Sequence, residues 1–164
     1  MPRTNHPVTI SITAAALYCV TSTSANAQSA VTPMRVFECT LKEGGKHVSV
    51  TKVGASLVYS YGFPGRPEMR IIGSAEQENI HYYSTDSGRG AWEKPQLRFS
   101  NGLYSYIVYS RDPPEVDGAG LMVLKEKQKL SDKLCLAAPS LVLSPGDSAK
   151  LPQDSEDFSV IDLP

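Results

Sequence analysis

The sequence predicts an all-β fold, a small antiparallel barrel or sandwich of about eight strands with one disulfide. Three observations lead there. Apolar residues alternate with polar ones at a period of two through most of the chain. An Asn-Gly pair sits between two such runs, and two cysteines lie far apart beyond the N-terminal thirty residues.

The alternation begins at Met34-Arg-Val-Phe-Glu-Cys39 and resumes, after the turn formers Gly44-Gly45, at His47-Val-Ser-Val-Thr51. Successive strand residues point to opposite faces, so Val48 and Val50 share one. Beyond Gly54-Ala55, the residues Leu57, Tyr59 and Tyr61 alternate with Ser56, Val58 and Ser60. Gly62-Phe-Pro-Gly65 breaks the pattern, which returns at Glu68–Ile72 and Ile80–Ser84. Lys125–Asp132 reads either as a short helix or as a charged hairpin tip.

Pro95–Ser110 carries the most specific local signal. Asn-Gly between alternating strands favours a two-residue type I′ turn, because both central residues need positive φ. With Asn101-Gly102 as the loop, Phe99 faces Tyr104, Arg98 faces Ser105 and Leu97 faces Tyr106. Leu97, Phe99, Tyr104, Tyr106 and Val108 then form a continuous core face. Gln96, Arg98, Ser100, Leu103, Ser105, Ile107 and Tyr109 form a mixed, partly wet one. Asp112-Pro-Pro-Glu-Val-Asp-Gly118 is a connection, since paired prolines do not sit in a central strand. Gly120–Lys125 and Leu130–Leu136 close the series.

Compartment follows from the first residues. Arg3 and His6 precede an apolar run of about 13 residues, and Ala25-Asn-Ala27 supplies a small-residue exit, the pattern of a secretory signal cleaved after Ala27. A membrane-spanning helix needs roughly 20 apolar residues, and this run is shorter and diluted by Ser and Thr. Cys19 lies inside the run behind the bulky Tyr18, a poor context for lipidation. The expected organisation is a signal peptide at 1–27, a β domain at 28–138 and an acidic C-terminal tail at 139–164. From Leu141 onward there is one lysine against five acids. Such a tail reads as solvated and poorly ordered, or else Phe158–Leu163 folds back or docks on a partner. Location is periplasmic or secreted. Cleavage removes Cys19, and an exported chain left with two cysteines pairs them, so Cys39 and Cys135 form the expected disulfide.

Chemistry is sparse. The formal net charge of −1 creates no field for nucleic acid. His47 and His81 lack neighbours at metal-ligand spacing, so neither a metal nor any other cofactor is expected. Asp86-Ser87-Gly88 is too short to define a hydrolase motif, and Ser87 would need a histidine base and an oxyanion site. The scattered carboxylates suggest no acid–base pair. No enzyme is expected.

The segment Tyr82–Glu93 holds two glycines, Arg89 and the protein's single tryptophan, Trp92. Aromatic and arginine residues dominate binding hot spots, and loops on rigid β scaffolds carry recognition. Asp86, Ser87, Arg89 and Trp92 are therefore the candidate contact residues, with completion of the core as the alternative for Trp92. The expected partner is another protein in the periplasm or outside the cell. A structural, envelope-maintenance role is the competing class.

Phe37-Glu-Cys39, Gly45-Lys46, Leu57–Gly62, Arg98–Tyr109 and Cys135 resemble small uncharacterised exported proteins of Gram-negative bacteria. The likeness runs over about residues 36 to 136 and implies an all-β fold clasped by its cysteines, with no activity attached. More loosely, the chain is similar to periplasmic lysozyme inhibitors, disulfide-bonded β-barrels that insert a loop into the enzyme's cleft. Ser87-Gly88 resembles the start of their Ser-Gly-x-x-Tyr element. Ala91 stands where the tyrosine belongs, and Trp92 follows one residue later. That resemblance implies an inhibitory contact with a cell-wall hydrolase.

Overall fold

The computed structural model describes residues 31–84, 94–110, 118–137, 139–155 and 158. The expected signal peptide lies outside them, as do Asp86, Ser87, Arg89 and Trp92. No helix among the described residues is long and apolar enough to cross a membrane.

Nine strands follow one another as antiparallel neighbours in two sheets. The first sheet holds β1 (Met34–Thr40), β2 (His47–Val53), β3 (Ser56–Phe63) and β4 (Arg66–Gly73). A 3-10 turn at Ala75–Gln77 leads to the second sheet. This holds β5 (Ile80–Tyr83), β6 (Gln96–Asn101), β7 (Tyr104–Ser110), β8 (Ala119–Lys125) and β9 (Gln128–Leu134). Lys125–Asp132 resolves as the β8–β9 hairpin, not a helix.

The sheets share one core. Val48, Val50, Leu57, Tyr59 and Ile71 from the first meet Leu97, Phe99, Val108 and Leu121 from the second. Tyr59 lies at its centre, its ring 5.4 Å from that of Phe99 and 5.6 Å from that of Tyr106. The two sheets join at one seam, where Leu41 bridges Cys135 and the Cys39–Cys135 disulfide spans a separation of 96 residues. Beta-4 and β5 do not pair, so the described strands do not close into a barrel.

The β6–β7 hairpin departs from the expected register. Asn101 faces Tyr104, Phe99 faces Tyr106 and Leu97 faces Val108. The loop is therefore Gly102-Leu103. Gly102 has φ +59, whereas neither Asn101 nor Leu103 has positive φ. A type II′ turn demands that freedom only at its first central position. The two registers keep the same residues on each face, because partners shift by two. Leu97, Phe99 and Val108 are accordingly buried and Tyr106 half-buried, while Tyr104 at the hairpin end is exposed.

The other face is drier than its composition suggests. Ile107, Tyr109, Met122 and Leu124 are buried there in a second cluster that includes Phe158. Parts of the segment expected as an acidic tail thus contribute to packing. Leu141 and Leu151 enter the main core. Val142 N–H donates to Val36 O of β1 at 3.0 Å, and Leu141 N–H donates to Ser110 Oγ of β7 at 2.9 Å. A single helical turn, α1 (Pro145–Ser148), follows, capped by Ser144. Acidic composition signals solvation only on average; here Leu141 and Leu151 face inward, while Asp147 pairs with Lys52 and Asp154 with Arg98.

Candidate functional site

The two longest connections between strands, 84–95 and 111–118, leave the five-stranded sheet at the same end. The ladder places Tyr83 beside Gln96, Gln96 beside Tyr109 and Tyr109 beside Gly120. Ser110 faces Ala119 in the next rung. The anchors are firm. Gln96 is 3% exposed, Ser110 N–H donates to Pro95 O at 3.2 Å, and Cys135 N–H donates to Ala119 O at 2.8 Å. The candidate contact residues Asp86, Ser87, Arg89 and Trp92 all belong to the 84–95 connection; the described structure reaches its anchors at Tyr83, Ser84, Lys94 and Pro95.

Beside the disulfide lies a shallow groove of about 430 Å³, bordered by Glu38, Thr40, His47, Leu136 and Pro139. His47 Nε2 sits 3.0 Å from Glu38 Oε1, and Arg35 pairs with the same carboxylate. Leu136 is 65% exposed at the lip. This combination offers a polar floor and an apolar edge, a surface suited to contact.

A second cleft, of about 510 Å³, opens between the β2–β3 turn, the 3-10 turn and α1. Leu57, Leu143 and Leu151 form its apolar wall. Lys52 Nζ binds Asp147 Oδ1 at 2.6 Å, and the Ser144 hydroxyl donates to Asp147 Oδ2 at 2.7 Å. These two hydrogen bonds, with Lys52 the larger influence, hold the Asp147 carboxyl below its ordinary range. The volume lies within that of small-molecule sites, and two of its lining charges, Lys52 and Asp147, are paired with each other.

Asp154 anchors a third cluster, on the outer side of the five-stranded sheet. Arg98 donates to it twice, from Nε to Oδ2 at 2.5 Å and from Nη2 to Oδ1 at 3.2 Å. Arg98 also donates to Ser100 Oγ at 3.1 Å and lies 5.7 Å from the Phe158 ring centre. His81 is the cross-strand neighbour of Arg98. Its Nδ1 is buried without a hydrogen-bond partner. Burial, and then the Arg98 charge, press its pKa below the usual imidazole value against the opposing pull of Asp154 and Glu78. Sequence reading missed this cluster. Arg98 and Asp154 are 56 residues apart, and no local spacing links them.

No group of three or more His, Cys, Asp or Glu side chains among the described residues is arranged to hold a metal. No protein-family profile, curated protein or solved structure matches the chain.

Proposed function

We propose that this chain is an exported, non-enzymatic binding protein that engages another protein through the end of the sandwich bearing the 84–95 connection. The observation that carries this reading is the shared origin of the two longest connections, on adjacent strands of a sheet tied to its neighbour by Cys39–Cys135. Long connections on rigid β frameworks are where recognition concentrates. The sequence places Arg89 and Trp92 in one of them, and both are residue types that dominate hot spots.

A cell-wall hydrolase of the lysozyme type is the partner this reading favours, on compartment, size and the Ser87-Gly88 element. Binding of the disulfide-bonded chain to c-type lysozyme, followed by calorimetry and by clearing of a peptidoglycan suspension, tests it. The expected result is saturable binding that slows clearing. Arg89→Ala and Trp92→Ala each weaken it by about tenfold or more, the size of a lost hot spot. Binding that persists unchanged in the double variant overturns the assignment of the contact. Absence of any binding to lysozyme overturns the choice of partner.

A further inference from the structure

The cleft between the β2–β3 turn, the 3-10 turn and α1 is bordered by two charges that the fold leaves unused. Among the described residues, the side chains of Lys150, just past α1, and Glu76, on the 3-10 turn, make no hydrogen bond or ion pair. Both are exposed. The other two charges pair with each other: Lys52 binds Asp147 Oδ1 at 2.6 Å, and the Ser144 hydroxyl takes Oδ2 at 2.7 Å. Lys150 acts on that carboxylate only through space. The main chain on both sides is held. Lys150 N–H donates to Asp147 O at 3.2 Å, and Leu151 N–H donates to Ser148 O at 3.1 Å. The turn carrying Glu76 closes through Glu78 N–H to Ala75 O at 3.1 Å. Asn79 ties that turn to β4, accepting from Ser74 N–H at 3.0 Å and donating to Ile72 O at 2.9 Å.

Charge and wall together specify a ligand. Lys52 and Lys150 balance Asp147 and Glu76, so the lining is neutral in sum. A lone anion leaves Glu76 without a counter-charge, and a lone cation leaves Lys150 without one. A zwitterion serves both. Leu57, Leu143 and Leu151 supply an apolar wall, and the volume of about 510 Å³ gives room for a body of two or three residues. A cleft whose main chain is already fixed loses little order when it is filled, which favours binding. We infer that this cleft binds a short apolar peptide with free termini, its carboxylate on Lys150, its ammonium on Glu76 and its side chains against Leu57, Leu143 and Leu151. The site shares no residue with the protein contact proposed above and does not depend on it.

Leucyl-leucine, its N-acetyl form and its C-terminal amide separate the two charge contacts. Chemical-shift titration of the disulfide-bonded chain with leucyl-leucine is expected to saturate, with shifts centred on residues 52–57, 72–77 and 143–151. Each capped form is expected to bind about two- to fivefold more weakly, the size of one exposed ion pair. Lys150→Gln is expected to erase the penalty for the amide and keep that for the acetyl form. Glu76→Gln is expected to do the reverse. Both side chains are exposed and make no contact of their own, so the thermal midpoints of the variants should match the wild type. Free leucine is expected to bind more weakly than the dipeptide. Failure of leucyl-leucine to bind, or shifts centred elsewhere, overturns the inference. So does equal affinity for capped and uncapped forms, a substitution that weakens all three ligands alike, or tighter binding of free leucine.

Discussion

The ring of Tyr109 occupies the space that a side chain on Gly120 would need. A Cβ built at Gly120 lies 2.6 Å from the Tyr109 hydroxyl oxygen and 2.5 Å from Lys133 O on the neighbouring strand. The two residues are direct cross-strand partners. The Tyr109 hydroxyl meanwhile hydrogen-bonds Asp132 Oδ1 at 2.7 Å, so ring, glycine and β9 form one unit on the outer side of the sheet.

Gly120→Ala is therefore expected to destabilise the fold by about 1–3 kcal/mol, the usual cost of overpacking. One of its two close contacts is backbone, which moves only with the strand. The urea midpoint measures it, and an unchanged midpoint contradicts the packing described.

Tyr59 gives a prediction of opposite sign. Its hydroxyl is buried without a hydrogen-bond partner, and burial pushes its ionisation far above the ordinary phenol range. Tyr59→Phe removes an unsatisfied group and keeps the ring, so it is expected to stabilise by about 1 kcal/mol. Tyr59→Ala is expected to cost about 3–5 kcal/mol through the cavity it leaves. Because the folded state resists ionisation of Tyr59, the unfolded state binds fewer protons above about pH 10, and stability falls as pH rises from there. Tyr59→Phe should flatten that alkaline decline.

His81 sets a slope in acid. Its folded pKa is depressed, first by burial and then by Arg98. Below about pH 6.5 the unfolded chain takes up a proton that the folded one resists. The stability present at neutral pH is thus lost as pH falls toward the folded value. Asp147, whose pKa is also lowered, loses stability in the same direction at lower pH, below the ordinary carboxylate range. Thermal midpoints measured between pH 7 and 5 should show the histidine slope in the wild type. His81→Gln should lack it and keep the loss at lower pH.

The disulfide spans a separation of 96 residues. In the chain-entropy account, a closure of that length constrains the unfolded state by up to about 4–5 kcal/mol. Paired Cys39→Ser and Cys135→Ser substitutions are expected to lower unfolding stability by about that amount. Reduction of the wild type should reproduce the loss. Equal midpoints for oxidised and reduced protein would contradict it.

Strand positions, hairpin faces and the cysteine pair were legible in the chain itself, because each rests on a local or compositional rule. Val48 and Val50 share a face for a stereochemical reason that no distant residue alters. Cys39 and Cys135 are the cysteines left beyond the expected leader, and the structure joins them. The Asn101-Gly102 hairpin was legible in kind and face but not in register. Types I′ and II′ place the same glycine at different positions of the loop, and its surroundings select between them.

What remained hidden were relationships between segments remote in the chain. Arg98 reads as one polar residue on a mixed face, and Asp154 as one acid among several in a polar segment. Only folding brings the two together, sets Phe158 beneath the guanidinium and buries Ile107 and Tyr109 on a face that alternation marks as mixed and partly wet. Periodicity specifies which side of a strand a residue takes. What covers that side is decided by tertiary packing, since the covering residues lie up to half a chain away.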